Sequence, residues 1–240
     1  QEYGLIGLIV IFIALFNCIV NSGFSAALIR KHDAKEDDYN TVFLTNLAVS
    51  IFLFGVLLVC APFIGSFFNQ PELIPLTRAM AIVVIINAFT IVPQTVLTKS
   101  LDFKTQTKIS LISSITSGII GITLAVTGYG VWALVAQQIS RQFLNTTFLW
   151  VWSKWKPKIA FSIQSFKELF GFGWKLLVSS LIDTVWKEIY QVVIGKFYSP
   201  ASLGQYARAQ QFSSIFSYNL TSIIQRVSFP VLSSIQNDIP

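Results

Sequence analysis

Residues 5–20 read LIGLIVIFIALFNCIV, a run in which Asn17 is the single strongly polar side chain. A strand of a membrane barrel would alternate apolar and polar residues, and this run is apolar at nearly every position. A backbone surrounded by lipid must satisfy its own hydrogen bonds, which leaves closed barrels or helices, so the run is a membrane helix. Its neighbourhood extends the reading: no charged residue occurs from Tyr3 to Ile29, from Tyr39 to Pro71, from Ala79 to Thr98, or from Ile109 to Ser140. Each gap exceeds or matches the roughly 20 residues that cross a bilayer.

The composition of the 240-residue chain agrees. Hydrophobic residues make up 53% and charged residues 12%, with a mean hydropathy of +0.64. A soluble chain spends about a quarter of its residues on charge, so a cytoplasmic enzyme is excluded. Cys18 and Cys60 both sit in apolar runs, where a thiol behaves as a small hydrophobe. His32 stands alone in a charged loop, and a metal needs three or four converging ligands, so no metal site or cofactor is expected. The net charge of +6 falls between hydrophobic runs without a Lys/Arg-rich block, which argues for membrane topology and against nucleic acid.

Seven helical spans fit the chain, over 4–29, 41–69, 78–97, 109–127, 130–152, 171–196 and 206–232, giving an all-α, polytopic transmembrane bundle. Asn69-Gln70-Pro71-Glu72 and Gly128-Tyr129-Gly130 carry turn chemistry. Ser165-Phe166-Lys167-Glu168 has the form of a capping box and predicts a short helix on the membrane surface before entry at Gly171, or an extension of a neighbouring span. Alternate connections share a side. One side collects Arg30, Lys31, Lys35, Lys99, Lys104, Lys108, Lys154, Lys156, Lys158 and Lys167, the other only Arg78 with Lys196 and Arg208 at span edges. The positive-inside tendency makes the first side cytoplasmic, with Gln1 outside. Trp150, Trp152 and Trp155 suit the interface there. Gln1 standing directly before an apolar run, a single Met at Met80 and an end at Pro240 predict an internal piece of a longer membrane protein.

The span over 171–196 differs from those before it. Lys175, Ser179, Asp183 and Lys187 recur every four residues, a stripe along one helix side, widened by Ser180, Thr184, Glu188 and Gln191, while Leu177, Val178, Leu181, Val185 and Ile189 lie opposite. An ionisable group in the bilayer costs on the order of 2.5–3.5 kcal/mol on insertion scales, so this face meets protein or water. Asp183 and Lys187 could neutralise each other as an i,i+4 pair, and Lys175 could snorkel. With Arg141 and Arg226 on other spans, the alternative is a water-filled cavity suited to an anionic substrate. Arg141, Lys175, Lys187 and Arg226 are the candidate substrate ligands, and Asp183 and Glu188 the ion-pair or coupling residues. Gly118, Gly121 and Gly173 suit close helix packing. Gln205-Tyr206-Ala207 faintly echoes Glu2-Tyr3-Gly4, as a repeated bundle would.

The stretches EYGLIGL (2–8), SGFSAALIRK (22–31), DYNTVFLTNL (38–47), LDFKTQTKISLISS (101–114), GYGVWALVAQQISRQ (128–142), FKELFGFGWKLL (166–177), GKFYSPASLGQYARAQQF (195–212) and PVLSSIQND (230–238) resemble bacterial polysaccharide-biosynthesis flippases of the multidrug/oligosaccharidyl-lipid/polysaccharide (MOP) exporter superfamily. The resemblance implies a MOP/MATE-like bundle of twelve to fourteen helices in two lobes. Residues 1–152 would form most of the N-terminal lobe (family helices two to six), 153–170 a cytoplasmic linker with an interfacial segment, and 171–240 the start of the C-terminal lobe. It implies a multi-pass protein of the bacterial inner membrane that is not an enzyme. Its substrate would be an undecaprenyl-diphosphate-linked oligosaccharide, moved from the inner to the outer leaflet by alternating access for O-antigen (lipopolysaccharide), capsule or exopolysaccharide assembly. Membrane lipids, a polysaccharide polymerase and glycosyltransferases are the expected partners. The competing readings are a multidrug exporter of the same superfamily, which would favour acidic cavity groups, and a membrane-embedded polymerase or ligase, which would present acid/base groups on a long outer loop.

Overall fold

The computed structural model describes residues 2–21, 23–153, 155–198, 201–210, 212, 224, 227 and 228. Eight helices are defined: α1 (Glu2–Asn21), α2 (Phe24–Arg30), α3 (Glu36–Phe67), α4 (Leu73–Met80), α5 (Ile82–Lys99), α6 (Phe103–Val126), α7 (Val131–Trp152) and α8 (Ile163–Phe197). Residues 201–210 are also helical, and no strand occurs among the described residues. Four segments are long and apolar enough to cross a membrane: Gly4–Arg30, Glu36–Phe67, Leu73–Lys99 and Phe103–Val126. Helix α7 and helix α8 have the length but carry polar faces. The protein is an all-α, multi-pass membrane bundle.

Two expected spans are jointed. The first breaks at Gly23, whose φ of 69° is natural only to glycine. There a Cβ would stand 2.3 Å from the Gly173 carbonyl oxygen, so two glycines let α8 cross the α1–α2 joint at backbone contact. The third begins at Leu73 rather than 78, because α4 adds two turns before the joint at Ala81. Pro62 and Pro93 lie inside α3 and α5, tolerated where neighbouring helices shelter the freed carbonyls.

The surface helix expected before Gly171 does not form separately. Helix α8 runs unbroken through Gly171 and Gly173, and its N-cap is Ser162, whose hydroxyl accepts from the Ser165 amide at 3.2 Å. With the cap three residues earlier than expected, Ser165 falls inside the first turn. The turns at 69–72 and 128–130 stand as expected, with positive φ at Asn69, Gly128 and Gly130. Gly121 packs tightly, since a Cβ there would lie 3.0 Å from Cβ of Gln137 on α7, whereas Gly118 faces open space and packs against nothing.

The connections alternate between two ends, as the charge count requires. At the basic end Lys99 reaches the C-terminus of α2, donating to Leu28 O (3.2 Å) and Lys31 O. A cation there offsets the negative end of the helix dipole. Lys158 Nζ meets Glu36 and the Lys158 amide donates to Asn40 Oδ1 at 2.9 Å, so the 153–162 connection seals against the start of α3. At the opposite end Lys196 Nζ donates to Phe67 O. Trp150 and Trp155 turn inward into an aromatic cluster with Phe43 and Phe89, and Trp150 Nε1 donates to Phe89 O at 2.9 Å. Trp152 remains exposed. The apolar core runs between α1, α3, α4 and α5.

Candidate functional site

Helix α6 begins at Asp102, whose carboxylate accepts from the Thr105 amide at 3.0 Å and hydroxyl at 2.7 Å. The Thr105 hydroxyl and amide hold this carboxyl below its ordinary range. The cap fixes the rotation of the turns that follow. From there Phe103, Gln106, Thr107, Ser110 and Ser114 recur at three- and four-residue steps, a continuous stripe on one helix face, with Ser113 at its margin. On α7, Gln138, Arg141, Gln142, Asn145 and Leu149 form a second such stripe.

The two stripes face a common, half-open cavity of about 810 Å³, flanked by Ile13 and Asn17 of α1 and by Val83 and Gln94 of α5, with Val227 also contributing. Its volume lies within the roughly 300–1,000 Å³ of ligand pockets. From Phe103 to Ser114 the lining climbs about 16 Å along α6, from the basic end to the middle of the bundle. Among the described residues, Arg141 is the single charged one in the lining. It has no ion-pair or hydrogen-bond partner among the described residues.

A polar chain, half-buried at Asn17, Asn87 and Gln142 and buried at Thr90 and Thr146, forms the back wall. Asn87 Nδ2 donates to Asn17 Oδ1 at 3.1 Å. Gln142 Nε2 donates to Asn87 Oδ1 at 3.3 Å and to Thr90 Oγ1 at 3.1 Å, and the Thr90 and Thr146 hydroxyls share a bond of 2.6 Å. These bonds tie α1, α5 and α7 together at membrane depth, where an unmade hydrogen bond is costly. They also hold Gln142 and Asn17 in place at the cavity edge. Ser113 is different: it is 1% exposed, lines the cavity, and its hydroxyl has no hydrogen-bond partner among the described residues.

The residues singled out from the sequence divide. Arg141 lies in the cavity. Lys175 and Lys187 are not among its lining residues. They belong to α8, which packs on α1 and α2 through Gly173 and Gly195; a Cβ at Gly195 would stand 2.2 Å from Leu8 Cδ2. Lys175 and Asp183 are exposed, Lys187 Nζ is paired with Asp183, and Glu188 accepts from Gln191 Nε2 at 2.7 Å. Arg226 lies outside the described residues. The polar faces of α6 and α7 were not identified from the sequence, although their three- and four-residue spacing is visible there.

Comparison with known proteins follows the same line. The chain matches the family described as "Polysaccharide biosynthesis protein" over residues 1–239. It is 32% identical to the teichuronic acid biosynthesis protein TuaB of Bacillus subtilis, over 90% of this chain and 45% of that protein. It is 24% identical to the succinoglycan biosynthesis transport protein ExoT of Rhizobium meliloti, over 99% of this chain and 48% of that protein. It is also 24% identical to the lipopolysaccharide biosynthesis protein WzxC of Escherichia coli, over 99% and 49%. No solved structure matches. The chain spans about half the length of these relatives. A family match along almost the whole chain, on a membrane bundle with a polar interior, places this protein in the polysaccharide biosynthesis protein family.

Proposed function

We propose that the protein to which this chain belongs is a flippase of the bacterial cytoplasmic membrane. It carries an undecaprenyl-diphosphate-linked oligosaccharide from the inner to the outer leaflet without chemical conversion. Residues 1–152 form most of one lobe and 171–240 open the second, with rocking between lobes exposing the cavity to each side in turn. The observation that supports this most is the unpaired Arg141 in a cavity lined by amides and hydroxyls, inside a bundle whose outer faces are apolar. Arg141 is exposed within the cavity, so its guanidinium is free to meet an anionic headgroup, and its planar fork matches phosphate and carboxylate alike.

Lys175, Lys187 and Arg226 are the remaining candidate contacts for the substrate headgroup. The existing pair with Asp183 makes Lys187 the weakest of them, because the pair must break first. Asp183 and Glu188 are candidate coupling groups. A polysaccharide polymerase and glycosyltransferases would act on either side of the transported intermediate. The test is reconstitution of the full-length protein in proteoliposomes with a lipid-linked oligosaccharide that an external lectin or glycosidase can reach only in the outer leaflet. Protein-dependent appearance of the glycan is expected; movement equal to protein-free vesicles would refute the reading.

A further inference from the structure

Charge-free hydrogen-bonding groups dominate the cavity, and this sets what it can hold. A diphosphate offers acceptors only and brings more than one negative charge. It would use only the N–H and O–H donors of the Gln94, Gln138 and Asn145 amides and the hydroxyls, leaving their acceptor oxygens unmatched, and one arginine would be left to balance its charge. A sugar ring offers hydroxyls that both donate and accept, the same dual capacity carried by amide and serine side chains. We propose that the cavity between α5, α6 and α7 is a carbohydrate subsite. It takes a hydroxylated sugar unit through these amides and the serines of α6, and Arg141 pairs with one anionic substituent, a carboxylate, on that sugar. The proposal rests on the flippase reading and assigns to this cavity the glycan rather than the diphosphate.

Ser113 supplies the second, independent observation. In this chain, helical Ser and Thr hydroxyls commonly close on a carbonyl of their own helix, as Thr107 does on Phe103 (2.8 Å) and Ser117 on Ser114 (3.2 Å). Ser113 makes no such bond although it is buried, and a buried hydroxyl left unmatched costs about 1–3 kcal/mol. Gln94, Gln138 and Asn145 have no side-chain partner among the described residues either, whereas Gln142 Nε2 is engaged with Asn87 and Thr90. The amides of Gln94, Gln138 and Asn145 border the space a ligand would fill, with Ser113 packed behind it.

The experiment uses full-length protein with all native cysteines replaced and Ser110→Cys as the reporter. Alkylation of the introduced thiol is followed in the presence of sodium glucuronate, glucose or sodium pyrophosphate at matched ionic strength. At about twice its Kd a bound sugar slows alkylation about threefold by mass action. The expected order is glucuronate first, glucose at higher concentration, and pyrophosphate without effect. Arg141→Gln should erase the advantage of glucuronate while glucose still protects, a difference that a merely structural arginine would not produce. Protection by pyrophosphate and by neither sugar would overturn the proposal, as would no protection by any of the three, the outcome if the remaining chain fills the cavity. Failure of the flippase reading is separate: sugars would protect while the same protein moved no lipid-linked glycan.

Discussion

Lys31 shows how a single residue joins the two halves of the chain at the basic end. Its Nζ lies 3.1 Å from Asp38 and 2.9 Å from Glu168 of α8. Burial lowers its proton affinity, and hydrogen bonds and charge from Glu168 and Asp38 outweigh that, so its pKa is raised. The Asp38 carboxylate is 2% exposed and also accepts from the Lys35 amide at 2.9 Å. Lys31→Met would leave a buried carboxylate without its cation, at a cost of about 2 kcal/mol, while Glu168→Gln, removing only the exposed partner, should cost well under about 1 kcal/mol. Thermal unfolding in detergent of the two variants checks this ranking; equal losses would show that the bridge to α8 matters as much as the one to Asp38. The sequence marked Lys31 as a topology signal, but Glu168 is 137 residues away, and nothing in a linear pattern pairs them.

Among the elements, α8 and α6 teach opposite lessons. The charges of α8 attract attention because ions are expensive in a membrane, yet Lys187 and Asp183 satisfy each other within one helix. Serines, threonines and glutamines on α6 and α7 are inexpensive enough singly to be overlooked, and only their shared face makes a site. Individual helices were legible from apolar runs and turn residues, because those are local properties. Helix facing was not, because it depends on contacts such as Gly23 against Gly173 that no single helix contains. Gly23→Ala should therefore destabilise by about 3 kcal/mol, combining left-handed backbone strain with overpacking, and should separate α2 from α8. Thermal unfolding of Gly23→Ala in detergent checks this; a melting temperature equal to that of the unaltered protein would mean the crossing is looser than described.

On the scale of the whole molecule, apolar outer faces, a basic end and a polar interior are set apart by chemistry alone. The cavity reaches from the basic end to mid-bundle, so on the proposed reading a headgroup would enter from the basic end and meet Arg141 roughly halfway across. The central claim is that the translocated headgroup occupies this cavity and engages Arg141. Its most direct test is the initial rate of lipid-linked oligosaccharide transport by full-length protein carrying Arg141→Gln, in proteoliposomes matched for protein content and fold. Loss of a charge-assisted hydrogen bond of about 1.5–3 kcal/mol predicts a rate lower by roughly tenfold to a hundredfold. A rate indistinguishable from the unaltered protein would contradict the account.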